Sequence, residues 1–167
     1  MLTVYPLDLA AELRFACEWW DGRNPAFADF DDLGGDCTNF VSQCILAGGA
    51  VMNFTRSTGW YYRSLNDRAA AWTGVGYFYR FITTNRGVGP FGFTIPIRNA
   101  QAGDVIQLCT ADRCYHSLFV IGAGNGDPLV AAHTFDVYDR PLSDYSYTFA
   151  RCLHITHARR YTVQTGE

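Results

Sequence analysis

Apolar residues recur every three or four positions in the first half of the chain and gather into short unbroken runs in the second half. Behind Asp8, a residue type that caps helices, Leu9, Leu13, Ala16, Cys17 and Trp20 fall on one helical face, and Gly22 stops the pattern. A second helix is predicted over 37–47, opened by Gly34-Gly35 and closed by Gly48-Gly49. Thr73 caps a third, in which Val75, Phe78, Tyr79 and Ile82 form a core-facing stripe and Gly87 the end. Past Pro90 the period changes. Runs at 103–108 and 116–121 read as strands, the second apolar enough to be central. Gly124-Asn125-Gly126-Asp127 predicts a hairpin turn, a strand follows from Leu129 to Thr134, and a last one runs over 151–156. Helices first and strands afterwards predict an α+β domain with a small, mostly antiparallel sheet.

The length, 167 residues, suits a single domain over 1–167 with one well-buried core. Hydrophobic residues at 49% and aromatic ones at 16% leave little room for disorder. The net charge of -3 and the lack of any basic run exclude the electrostatic footprint of a nucleic-acid binder. No apolar run approaches the roughly 18 residues of a membrane span, so no membrane partner is expected. The N-terminus, Met-Leu-Thr-Val-Tyr-Pro, lacks the basic and apolar regions of a signal peptide, so the chain as written is expected to be cytoplasmic, and secreted if it is a domain excised from a longer protein.

Between 51 and 72 the chain is irregular and aromatic, and Trp60, Tyr61 and Tyr62 either wall a substrate groove or plug the core. Cysteines stand at 17, 37, 44, 109, 114 and 152. Cys17, Cys44 and Cys152 lie in apolar segments and read as small buried hydrophobes. Cys109 and Cys114 flank a turn and can face each other across it; their spacing leaves open whether they are bonded. With His116 they form the densest metal-ligand cluster, but no paired C-x2-C knuckles and no fourth ligand accompany them, so no metal is expected.

Cys37 is the residue on which chemistry concentrates. It sits between a glycine turn and the first turn of a helix, where the partial positive charge favours a thiolate and unpaired backbone N–H groups can hold an oxyanion. Acyl transfer from such a thiolate also needs an imidazole and a group that orients it. His116 opens a central strand and is the candidate base; His133 and Asp136, one hairpin later, are the candidate orienters. Cys37, Val41 and Cys44 also form a helical stripe, so an inert buried thiol is the competing reading. His154 and His157 lie on opposite sides of a strand, a poor metal pair, and read as structural or exposed.

Arg23-Asn24-Pro25, the block from Gly34 through Asp36-Cys37-Thr38-Asn39-Phe40-Val41 to Gln43, Gly59-Trp60-Tyr61-Tyr62, Gly103-Asp104-Val105-Ile106-Gln107, His116-Ser117 and the 151–155 strand together resemble the amidase-domain family known as amidase 6. That family looks like a branch of the NlpC/P60 and CHAP group of papain-like cysteine peptidases and amidases. The resemblance implies a helix carrying the nucleophile packed on an antiparallel sheet carrying the base. It implies Cys37 as nucleophile, His116 as base and His133 as the third polar residue, with Asp136 and Asp36 as further candidates for orienting the imidazole or supporting the oxyanion. Where relatives use an upstream tyrosine for the oxyanion, this chain offers Asn24. The expected activity is cysteine-dependent hydrolysis of an amide bond in a peptide, in peptidoglycan or in a biosynthetic peptide, through a thioester and without cofactor. Amide-forming acyl transfer at the same Cys-His site and a catalytically silent binding module are the alternatives.

Overall fold

The computed structural model describes residues 1–163. In chain order the elements are β1 (Leu2–Pro6), α1 (Leu9–Trp19), α2 (Cys37–Ala47), β2 (Tyr62–Ser64), β3 (Asp67–Arg68), α3 (Ala70–Thr73), α4 (Val75–Thr84), β4 (Gly89–Ile95), β5 (Val105–Cys109), β6 (Cys114–Gly124), β7 (Asp127–Ala132), β8 (Val137–Pro141) and β9 (Phe149–Tyr161). A seven-stranded sheet runs β1-β9-β5-β6-β7-β8, with β4 also on β9. All its pairings are antiparallel. The long β9 organises one end: β5 pairs with its first half and β1 with its last residues along one edge, while β4 takes the other edge. The architecture is therefore the expected α+β, with a mostly antiparallel sheet. No helix among the described residues is long and apolar enough to cross a membrane.

The two faces of the sheet bury different things. Phe119, Ala131, Val105 and Leu153 meet Phe40, Val41 and Cys44 of α2 and Phe78 and Ile82 of α4 in the main core. Leu118, Val120, Val130 and Ile106 form a second core on the opposite face, closed by Ile97 and Leu142 from single helical turns and by Ile95 and Tyr145. Alternate residues of β6 thus belong to opposite cores, as the pleat requires.

Several boundaries depart from the sequence reading. Asp8 does cap α1, accepting the Ala11 N–H at 3.0 Å, but the inward positions of that helix are Ala16 and Glu12, and Cys17 is exposed rather than buried. Gly74, not Thr73, stands at the N-terminus of α4, because Thr73 is consumed by the preceding turn α3. Strands β1, β4 and β8 join the sheet without having been expected. Trp60 is fully buried, its indole N–H donating to Ser42 Oγ at 2.9 Å and its ring 4.8 Å from that of Trp72. It is core and cannot touch a substrate, whereas Tyr61 and Tyr62 remain partly exposed.

Candidate active site

Helix α2 is buried along nearly its whole length, polar residues included. Three of its polar side chains have partners that fix the helix in place. Thr38 Oγ1 lies 2.9 Å from Ser117 Oγ on β6, Asn39 donates to the Ala28 carbonyl and accepts from the Trp72 indole, and Ser42 donates to the Trp72 carbonyl. These bonds explain why a helix this polar is not amphipathic: every face of it packs on protein, and hydrogen bonds take the place of water.

The N-terminus of α2 is held as firmly. Asp36 N–H donates to Thr134 Oγ1 at 2.9 Å, and Asp36 Oδ1 accepts from Phe30 N–H and Asn39 Nδ2. Its other oxygen meets His133 Nδ1 at 2.5 Å, while His133 Nε2 lies 2.6 Å from the Trp19 carbonyl and the ring stacks on Phe40. Arg23 joins Asp31 at 2.6 Å and Asp136 at 2.8 Å and stands 3.5 Å from Asp36. The residue before Cys37 is thus clamped from three sides.

The first helical bond of α2 runs from Phe40 N–H to the Asp36 carbonyl, so the Cys37 N–H precedes the helical ladder. The Cys37 side chain is 6% exposed, and its Sγ lies 3.8 Å from Thr38 Oγ1. Burial raises the thiol pKa; hydrogen bonding from the Ser117 backbone and from the Thr38 hydroxyl and backbone works the other way. The sulfur rests beside Thr38, whose hydroxyl reaches Ser117 on β6, where the β6–β7 ladder has already ended at Phe119–Ala131.

His116 pairs with Leu108 and Ser117 with Gln107 across β5–β6. Ser117 and Gln107 point towards the helices, where they bond each other and Thr38. His116 points to the other face, into a cavity of about 320 Å³ shared with Leu108, Thr134 and Tyr145. Burial lowers its pKa to about 4, so its imidazole is neutral near pH 7 and, in this resting position, a weaker base than a free histidine. No hydrogen bond joins it to Cys37. Thr134 connects the two sides, since it lines the cavity of His116 while its hydroxyl accepts the N–H of the residue before Cys37.

The structure does not bring His116 and His133 together. The turn at Asn125-Gly126 is tight, both residues having positive φ, and Gly124 pairs with Asp127. A register shift between Val120 and Gly122 then makes Phe119 the partner of Ala131. His133 falls on the helix side with Ser117, and its two ring nitrogens are taken by Asp36 and the Trp19 carbonyl, so neither is left to orient His116. Asp136 is held by Arg23 on the loop and Asn24 closes a local turn to Ala26 N–H. Arg140 and Tyr145, which the sequence did not single out, line the His116 cavity; their signal is the register of β8 and the turn after it, invisible in composition. Cys109 and Cys114 form a disulfide with Cα atoms 3.7 Å apart, which removes both from the metal-ligand cluster.

A 31% identity over 140 residues links the chain to the uncharacterized protein YhbB of Bacillus subtilis, covering 79% of this chain and 43% of that protein. The chain thus corresponds to less than half of that relative's length. No solved structure matches it significantly. The family described as "Putative amidase domain" matches residues 7–156, a span that holds Cys37, His116, His133 and every strand of the sheet but β1 and the end of β9. By that match, the chain belongs to this amidase-domain family.

Proposed function

We propose that the protein is a papain-like cysteine amidohydrolase, acting on a peptide or related amide through a thioester on Cys37. The observation that carries this reading is the seat of Cys37: first residue of a rigidly clamped helix, ahead of the helical ladder, with its sulfur against the strand that bears His116. Cys37 attacks the carbonyl, His116 takes the thiol proton and returns it to the departing amine, and the Cys37 N–H holds the oxyanion. Neutral thiol and neutral imidazole make this a general-base attack rather than a preformed ion pair. Catalytic hydrogen bonds commonly close only when substrate is bound, and here closure requires the imidazole to turn past Thr134 towards the sulfur. His133 serves as a positioning residue for Asp36 and the start of α2. The chemistry calls on no metal or organic cofactor.

One observation favours a second reading, a binding module without turnover: at rest His116 turns into a cavity that Cys37 does not line, and the sulfur's contact is with Thr38 instead of the imidazole. Trapping decides between them. Incubation with amide substrates followed by acid quench and intact mass analysis is expected to reveal an acyl adduct on Cys37 in the wild type and none in Cys37→Ala. Turnover retained in a clean Cys37→Ala preparation refutes the cysteine mechanism, and absence of both adduct and turnover across peptide and cell-wall amides selects the binding module.

A further inference from the structure

The cavity beside His116, at about 320 Å³, falls at the small end of clefts that hold a small ligand. Its walls are Leu108, Tyr115, Phe135 and Tyr145, and Arg140 brings the guanidinium to them. Arg140 lies 4.3 Å over the Tyr145 ring, and the His116 ring centroid is 6.3 Å from that of Tyr145. Imidazole and guanidinium therefore flank one aromatic ring. Arg140 donates to the Asp144 carbonyl at 3.1 Å, and among the described residues no carboxylate is paired with it. Arg23, by contrast, is already surrounded by Asp31, Asp36 and Asp136. A guanidinium steadied on an aromatic face, with donors to spare at the rim of an apolar cavity, matches the geometry of a carboxylate.

We infer that this cavity receives the amine half of the substrate, an amino acid residue with an aromatic or branched apolar side chain and a free carboxylate, as at the C-terminus of a peptide or in an N-acyl amino acid. The orientation rests on the Cys37–His116 reading. In that reaction the Cys37 Sγ–carbonyl carbon bond forms, the C–N bond breaks with its electron pair going to nitrogen, and His116 passes the thiol proton to that nitrogen. Water then cleaves the thioester. Once the imidazole has turned towards the sulfur, the space it leaves adjoins the departing nitrogen, and the amine half extends into it with its carboxylate at Arg140 and its side chain against Leu108, Tyr115 and Phe135.

The test uses two probes of nearly the same shape, one ending in a carboxylate and one in a neutral carboxamide, N-acetyl-L-phenylalanine and N-acetyl-L-phenylalaninamide, titrated calorimetrically into the Cys37→Ala protein so that turnover cannot intrude. The acid is expected to bind at least about tenfold more tightly than the amide. Arg140→Gln should erase that preference, Arg140→Lys should keep part of it, and Arg160→Gln, on the far end of β9, should leave it unchanged. Equal affinity for the two probes, a preference that survives Arg140→Gln, or binding of neither probe at about 10 mM overturns the inference. If Arg140→Gln does not fold, the comparison of the two probes and the Arg140→Lys protein decides. Release of phenylalanine by the wild type is followed separately. Selective binding without release would sink the catalytic reading and leave the pocket standing; Cys37-dependent cleavage of substrates lacking the carboxylate would do the reverse.

Discussion

Asp36 and His133, 97 residues apart in the chain, share a 2.5 Å hydrogen bond that ties the start of α2 to the end of β7. Both side chains are almost wholly buried. The second ring nitrogen of His133 extends the tie to the Trp19 carbonyl at the end of α1, so one imidazole joins two helices and a strand directly behind Cys37. Removing it leaves a buried carboxylate short of a partner and a void against Phe40.

His133→Ala is therefore expected to destabilise the fold by about 3–5 kcal/mol, the range for breaking a buried ionisable pair on one side. Denaturant unfolding measures it. A positioning role also makes a kinetic statement. In a His133→Gln protein that remains folded, kcat/KM falls while the shape of its pH profile is kept. A moved acid limb would place His133 in the proton transfer itself.

Cys37 should be slow to react in the resting protein. Its thiol pKa is raised by burial, and hydrogen bonding from Ser117 and Thr38 offsets this only in part. Cys17, exposed on α1, is an internal standard. With iodoacetamide at pH 7, peptide mapping is expected to find Cys17 modified at least about tenfold faster than Cys37, with the gap closing as pH rises and the thiolate fraction grows. A Cys37 that outpaces Cys17 at pH 6 and loses this lead in His116→Ala would instead reveal a preformed ion pair.

The seat of Cys37 was legible because glycine pairs at 34–35 and 48–49 bracket a helix of fixed length, and because β6 and β7 are continuous apolar runs. What lay beyond reach was which way each residue of those strands faces. With the tight Asn125-Gly126 turn and no irregularity, Gly122–Leu129 pairing would continue to Leu118–His133 and put both candidate histidines on one face. The bulge near Ile121 shifts pairing by one residue, and with a period of two that sends His133 to the opposite face. Gly122, a glycine inside an apolar run, is the bulge's one mark in the sequence, and it does not give the direction of the shift. Strand β1 was missed for a related reason: five residues ending in Pro6 carry little pattern, and their partners stand at the other end of the chain, Leu2 opposite Tyr161. Trp60 was ambiguous because an aromatic run is equally suited to a groove or a plug, and its partner Ser42 lies on another element.

The disulfide steadies the hairpin that leads into Tyr115 and His116. Cys109 and Cys114 are five residues apart, and for so short a loop the chain-entropy model gives about 2 kcal/mol. The Cys109→Ala, Cys114→Ala double variant is expected to lose about that much in denaturant unfolding, and reductant should then have no further effect on it. A loss well above this would mean that the bond also holds the hairpin against the sheet.

Glu12 and His116 make opposite demands on pH. Glu12 is buried beneath Gly48, where a Cβ would come within 2.5 Å of its Cγ, and its Oε1 has no hydrogen-bond partner. Burial first, then the charges of Asp8 and Asp104, raise its pKa to about 8. Between the ordinary carboxyl value of 4.5 and about 8 the folded protein holds a proton that the unfolded chain has lost, so this group's contribution falls as pH rises. His116, lowered by burial from 6.5 to about 4, does the reverse. Between those values the unfolded chain binds the extra proton, and stability falls as pH drops. Each slope is bounded by about 1.4 kcal/mol per pH unit. The unfolding free energy of Glu12→Gln minus that of the wild type should therefore climb between pH 4.5 and 8, and the same difference for His116→Gln should climb as pH falls from 6.5 to 4. In the overlap the two groups oppose each other, and above it the penalty of Glu12 stands alone. A flat difference curve for Glu12→Gln would show that its carboxyl is hydrated in solution, and a flat one for His116→Gln that the cavity around the imidazole is already open to water.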